Sequence, residues 1–137
     1  MKLDFNIQDF IISGSTVPVL VADKILRHHI LPMQEIRDKV GFPIWPSQHS
    51  GYRPHDYELR HNRTGSSEHC FVGKGAVDWT CDHHNLEILL NELLNSYYNR
   101  VCYYPNQHFI HCDDKGDHKK FYLCDDGVNW EYQNERG

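Results

Sequence analysis

One amphipathic helix constrains the fold of this chain more than any other segment. Apolar side chains recur every three or four residues from Leu86 to Tyr97, so they form a single stripe along a helix. Such a stripe has to be buried against another element. Strand-like runs surround the helix, at 75–81, 100–104, 108–113, 120–124 and 129–132. The chain is therefore predicted to be α+β, with a small antiparallel sheet and helices packed on one face.

Two shorter helices are predicted in the N-terminal half, over 19–29 and 32–40. Helix-forming residues dominate the first, while Pro32 suits the first turn of the second and Gly41 ends it. Turn-forming residues then crowd 42–65, which predicts a long irregular segment of the kind that is commonly functional or disordered. The length of 137 residues, without internal repeats, predicts one domain over 1–137.

The charge balance argues against one class of partner. Fourteen Lys and Arg face nineteen Asp and Glu, and nucleic-acid binding needs clustered cations, so no nucleic-acid partner is expected. No run of apolar residues is long enough to span a membrane. The first residues lack the pattern of a secretory signal, so we expect synthesis in the cytoplasm and five free cysteines. A monomer is also expected.

Histidine and aspartate share faces on two of the predicted strands. Residues two apart on a strand point the same way, so Asp78 faces away from the core and His111 shares a face with Asp113. If these strands are neighbours, His69, Asp78 and His111 converge as two imidazoles and one carboxylate. That set suits zinc and leaves a fourth position for water, although non-haem iron uses the same ligand types. With 11 histidines in the chain, surface histidines and a turn aspartate are the alternative on spacing alone.

Four segments in a fixed order resemble a known family. They are Ser50-Gly51-Tyr52-Arg53-Pro54, then Asn62 and Gly65, then Ser67-Glu68-His69 with Gly73, Ala76 and Asp78, and Tyr103-Tyr104-Pro105 leading into Phe109-Ile110-His111-Cys112-Asp113. This order resembles the zinc D-Ala-D-Ala carboxypeptidase and murein endopeptidase family, which includes phage lysins and shares its zinc fold with hedgehog. The resemblance covers about residues 36–114 and implies a single zinc-peptidase domain.

The resemblance implies a site for Zn²⁺ with His69, Asp78 and His111 as ligands. It also implies that Arg53 faces the substrate, where its planar guanidinium suits a peptide carboxylate or an oxyanion. An ordinary ion pair is the alternative role of Arg53. The loop between the first two ligands is longer than is usual in the family, and such a loop can still close because extra residues cost little.

The general base is assigned to Asp113 or His108, with Asp113 preferred. In many family members a carboxylate precedes the last ligand by three residues, but His108 occupies that position and strand alternation directs it away from the site. Asp113 shares the ligand face, and its alternative role is to orient His111 from behind.

The function implied by the resemblance is hydrolysis of peptide bonds in the stem or cross-link peptides of bacterial peptidoglycan. We expect a phage-associated protein that reaches the wall in a virion or through a holin, and a host cytoplasmic peptidase that recycles wall fragments is the alternative. The alternatives are a non-catalytic, zinc-stabilised module that binds wall peptides, and an interaction protein without metal. Two further roles stay open at this point: a thiolate site at Cys70 and Cys112, and a peptide groove lined by aromatic residues, namely Trp45, Tyr52, Tyr103, Tyr104 and Trp130.

Overall fold

A six-stranded mixed sheet forms the frame of the protein. The structure is a computed structural model, and it describes residues 2–11, 16–47, 51–54 and 67–135. The strands are β1 Ile44–Pro46, β2 Ala76–Cys81, β3 Arg100–Tyr104, β4 Phe109–Asp113, β5 Lys120–Leu123 and β6 Glu131–Glu135. They lie side by side in the order β1-β2-β4-β3-β5-β6.

One pair of neighbours breaks the predicted antiparallel pattern. Strands β3 and β4 form a hairpin in which Arg100 is the partner of Asp113. The short connection 114–119 then brings the chain past the start of β3, where Lys120 is the partner of Arg100. Because β5 begins at the same end of the sheet as β3, the two strands run parallel. The other pairs are antiparallel, so the sheet is mixed.

The helical part begins as one continuous segment. It consists of α1 Val19–Ile25, a π turn Leu26–Ile30 and α2 Leu31–Val40, and Gly41 ends it with a left-handed φ of 77°. The two helices predicted here are thus joined. The π turn lies immediately before Pro32, whose ring and missing N–H disturb regular helix bonding, and a π turn is one way to accommodate that disturbance.

The predicted amphipathic helix is present as α3, Leu86–Leu94. It ends before Tyr97, and the hydroxyl of Ser96 donates to the Leu93 carbonyl at 2.6 Å in the turn that follows. The helices and one face of the sheet bury a common apolar core, which includes the following residues: Ile25, Ile30, Met33, Val77, Trp79, Leu89, Leu93, Val101, Ile110 and Cys112. The prediction of an α+β fold with helices on one face is confirmed.

A buried polar network links the helical segment to the sheet. The Trp79 Nε1 donates to the Tyr98 hydroxyl at 3.1 Å, and that hydroxyl lies 2.7 Å from Nδ1 of His29. The His29 Nε2 lies 2.9 Å from the carbonyl oxygen of Lys74. All three ring side chains are fully buried, so the network fixes the loop before β2 against the helices.

The stretch predicted to be irregular contains β1, whose Ile44 and Trp45 are strand-forming residues. Much of the remainder, including Ser50, Asn62 and Gly65, lies outside the described residues. All five cysteines are free thiols. None of the helices in the described part of the chain has the length and apolarity that a membrane span requires.

Candidate metal centre

The three predicted ligands converge on the face of the sheet opposite the apolar core. Asp78 and His111 are register partners on β2 and β4, which places their side chains next to each other. A 3-10 turn, Glu68–Cys70, brings His69 to the same point. One ligand atom from each residue lies within 4.8 Å of the others, and all three residues are buried. This cluster could therefore hold a metal ion.

The spacing of the ligand atoms fits a small tetrahedral ion. The His69 Nε2 lies 3.2 Å from Nδ1 of His111 and 3.3 Å from Oδ1 of Asp78, and the last two atoms are 2.8 Å apart. For zinc bonds of 2.0–2.1 Å, tetrahedral geometry separates neighbouring ligand atoms by about 3.3–3.4 Å. A zinc ion thus needs only a small expansion of this triangle.

Hydrogen bonds behind the ligands fix which imidazole nitrogen faces the site. The Nδ1–H of His69 donates to the Gly51 carbonyl at 2.9 Å, which leaves the Nε2 lone pair for the cluster. The Nε2–H of His111 donates to Oδ2 of Asp113 at 2.7 Å, which leaves Nδ1. Two imidazole lone pairs and a carboxylate oxygen then point at one place. Without a metal, a proton on Nδ1 of His111 can bridge to Asp78; once that proton is displaced, the three atoms form a donor set that could hold a metal ion.

A close contact with the backbone of Phe10 explains the glycine at position 51, two residues before Arg53. A Cβ at this position would lie 2.2 Å from the carbonyl oxygen of Phe10, so only glycine fits. The Tyr52 N–H donates to that oxygen at 2.7 Å, and the Arg53 N–H donates to the His69 carbonyl at 2.8 Å. The segment is thereby held in a position where its carbonyl can orient His69.

The longer loop between the first two ligands is held by the helical segment. The Lys24 ammonium donates to two loop carbonyls, at 2.8 and 3.1 Å, and His29 bonds a third, that of Lys74. The ring of Phe71 is 3% exposed and packs where a side chain on Gly75 would stand, since a Cβ there would lie 2.1 Å from it. These contacts hold the loop in a defined conformation.

Electrostatics in the cluster favour a bound cation. Burial raises the pKa of Asp78, but the neighbouring His69 and the hydrogen bonds from both imidazoles outweigh it and hold that pKa far below its usual range. For His111, burial lowers the pKa, but the bonds to Asp113 and Asp78 outweigh burial and raise it to about 9. Asp113 has a pKa of about 2, because its contacts with His111 and Arg100 outweigh burial. Both carboxylates are thus ionised at neutral pH, next to a point where positive charge is stabilised.

The ligands open onto a cavity of about 330 Å³, within the range of small-ligand sites. Tyr104, Phe109 and Trp130 line it, and the Tyr104 and Phe109 rings stack with centroids 4.2 Å apart. Trp130 lies 5.1 Å from the ring of His111. Two of the aromatic residues proposed for a groove, Tyr104 and Trp130, therefore face the site.

The other aromatic candidates lie elsewhere in the described structure. Tyr52 and Tyr103 pack against the core, and Trp45 is 42% exposed on β1. The cysteines proposed for a thiolate site are not part of the ligand cluster: Cys112 is buried in the core, where burial raises its pKa well above the usual value, and Cys70 is half-buried.

Arg53 lies at the cavity, as the resemblance implies. Its Nη2 is 3.4 Å from Oδ2 of Asp78, and its side chain is 18% exposed. It is thus positioned to neutralise the carboxylate ligand and to reach a group in the cavity.

Neither residue assigned as general base lines the cavity. Asp113 is fully buried and bonded to Arg100 and His111, so its geometry matches the alternative role of orienting His111. His108 is exposed in the turn before β4 and has a φ of 62°. Its ring stacks on that of His83, with the ring centroids 3.7 Å apart. The left-handed turn directs its ring away from the ligands.

Sequence reasoning did not identify Arg100, which binds Asp113 from the neighbouring strand. The signal was present, since a tight hairpin at 105–108 pairs Tyr104 with Phe109 and, four residues further, Arg100 with Asp113.

Comparison with known proteins found no matching family model, no matching curated protein and no matching solved structure.

Proposed function

We propose that this protein is a zinc-dependent peptidase that hydrolyses stem or cross-link peptides of bacterial peptidoglycan. The observation that carries the proposal is the triangle of three buried ligand atoms, 2.8–3.3 Å apart, at the wall of a cavity. The sequence resemblance supplies the substrate class. Zinc supplies Lewis-acid polarisation of a carbonyl group and acidification of water when it is bound at such a site.

The residues around the cluster have separate roles in this proposal. His69, Asp78 and His111 hold the ion, and the carbonyl and carboxylate behind the two imidazoles keep their nitrogens directed at it. Arg53 binds the peptide carboxylate or the oxyanion, because its guanidinium lies beside the ligands. The aromatic wall contacts the apolar parts of the peptide.

A second candidate function is a non-catalytic module that binds wall peptides and is stabilised by zinc. One observation favours it: among the described residues, Asp78 is the only carboxylate that lines the cavity, and it is itself a ligand. Asp113 and His108 are both directed elsewhere, so the described cavity lacks a second carboxylate to take a proton from water. Turnover separates this candidate from the peptidase.

The test combines metal loading with a wall-degradation assay. Zinc-loaded protein is incubated with purified sacculi, and newly released amino groups are counted. The peptidase predicts release by the wild type, loss in His111→Ala and retention in His84→Ala, a matched change at an exposed histidine. A rise in melting temperature with zinc but no release would support the binding module. A protein that binds no zinc would contradict both.

We propose further that the protein is phage-associated and meets the wall in a virion or through a holin. This rests on the resemblance to phage lysins. A holin or tail gene beside the coding sequence would support it, while a gene cluster for bacterial wall recycling would contradict it.

A further inference from the structure

Arg100 contacts the metal centre from behind rather than from the cavity. Its Nε lies 3.0 Å from each oxygen of Asp113, and its Nη2 lies 2.6 Å from Oδ2. Asp113 is fully buried, and the Arg100 side chain is 22% exposed. A planar guanidinium that contacts both oxygens of a buried carboxylate restricts its rotation, which a single ammonium donor does not.

Asp113 transmits this constraint to a metal ligand. Its Oδ1 also accepts from the Lys115 N–H at 3.0 Å, and its Oδ2 accepts from Nε2 of His111 at 2.7 Å. Each oxygen thus has a donor besides Arg100, and the carboxylate has one defined orientation. In that orientation it holds the Nε2–H of His111, so that Nδ1 faces Asp78.

Arg100 also contacts the cavity wall. Its guanidinium carbon lies 4.8 Å from the centroid of the Trp130 ring, a cation–π distance. Trp130 lines the cavity, lies 5.1 Å from the ring of His111, and donates from Nε1 to the Tyr104 hydroxyl. One side chain therefore contacts both the group that orients a ligand and the aromatic ring next to that ligand.

We propose that Arg100 is a positioning residue of the metal centre, which acts through Asp113 to direct Nδ1 of His111 at the ion and through Trp130 to keep the adjacent wall in place. The inference rests on the metal site of the proposed function, but not on peptidase activity. Losing a hydrogen-bond partner behind a histidine ligand typically lowers metal affinity about 10- to 100-fold.

The test is a double-mutant cycle in zinc affinity, measured by competition with a chromophoric chelator. The variants are Arg100→Gln, Asp113→Asn and the combination, with Arg27→Gln as the matched control. Arg27 forms an exposed pair with Asp23 at 2.9 Å, where the two side chains are 70% and 48% exposed. We expect each single change to weaken zinc binding about 10-fold or more. Because Arg100 acts through Asp113, the double change should cost little more than one single change.

Two further measurements separate positioning from general stability. The visible absorption of the Co²⁺-substituted protein, which reports ligand geometry, should change in Arg100→Gln and not in Arg27→Gln. Arg100→Lys keeps a positive charge beside Asp113 but lacks the planar guanidinium, and it should lose less zinc affinity than Arg100→Gln does. If Arg100→Gln does not fold, the zinc affinity of Arg100→Lys tests the positioning role in its place.

The outcomes distinguish failure of the positioning role of Arg100 from failure of the metal site itself. Folded Arg100 variants that bind zinc within about twofold of wild type, or fully additive losses in the cycle, would overturn the positioning role and leave the metal site intact. A wild-type protein that binds no zinc would overturn the proposed function and this inference together.

Discussion

Acidification should destabilise this protein through a buried histidine that is not one of the three predicted metal ligands. His29 is fully buried in the π turn, where Nε2–H donates to the Lys74 carbonyl and Nδ1 accepts from the Tyr98 hydroxyl. A second proton, on Nδ1, would require the Tyr98 hydroxyl to turn from donor to acceptor. Burial accordingly lowers the pKa of His29 from 6.5 to about 4, although the bond to the carbonyl partly opposes it.

The size and sign of the effect follow from linkage. Because the folded pKa is depressed, the unfolded chain takes up the proton first as the pH falls. The stabilisation is complete above pH 6.5 and is lost progressively toward pH 4. A shift of about 2.5 units, at about 1.36 kcal/mol per unit, corresponds to about 3 kcal/mol of unfolding free energy. That is a large part of the stability of a typical domain.

Urea unfolding of the metal-free protein, followed by tryptophan fluorescence at several pH values, measures this effect. The unfolding free energy of the wild type should fall by about 3 kcal/mol between pH 6.5 and 4. His29→Gln removes the titrating ring, so its unfolding free energy should change much less over that interval, whatever its value at pH 7. His84→Gln, at an exposed position, should behave as the wild type does. If the unfolding free energies of the wild type and His29→Gln depended equally on pH, His29 would not be the source of the acid destabilisation.

Three other predictions concern the metal centre. Gly51→Ala should destabilise the protein by about 1–3 kcal/mol in urea unfolding and weaken zinc binding, because its Cβ would overlap the Phe10 carbonyl; unchanged values would contradict the close contact. Lys24→Ala should lower zinc affinity by releasing the ligand loop, whereas Lys39→Ala, at an exposed pair, should not; equal affinities would contradict the role of Lys24. Zinc affinity should rise about tenfold per pH unit from pH 7 toward 9, because the ion displaces one proton from His111, whose pKa is about 9; a flat profile would contradict that displacement.

Local patterns were sufficient to predict the parts of the site that depend on one strand or one helix. The apolar stripe identified α3, and the alternation of side chains placed Asp78 and His111 on faces directed away from the core. Their contact needed only that β2 and β4 be neighbours. The position of His69 depends instead on the Gly51 carbonyl, which is distant in sequence.

Other features depend on contacts between elements and were not accessible from local patterns. Alternation assigned Asp113 to the correct face, but its burial depends on Arg100 in the adjacent strand. The parallel pairing of β5 with β3 depends on the path of the chain after β4. The π turn that joins α1 and α2 replaces the break expected near Pro32, because a continuous helical segment can accommodate the proline in this way.

Anomalous diffraction at the zinc edge from zinc-loaded crystals locates the metal directly. We expect one zinc ion per chain, about 2.0–2.2 Å from Nε2 of His69, Oδ1 of Asp78 and Nδ1 of His111. An ion bound elsewhere, coordination through Nε2 of His111, or the absence of a peak between these three atoms would contradict it.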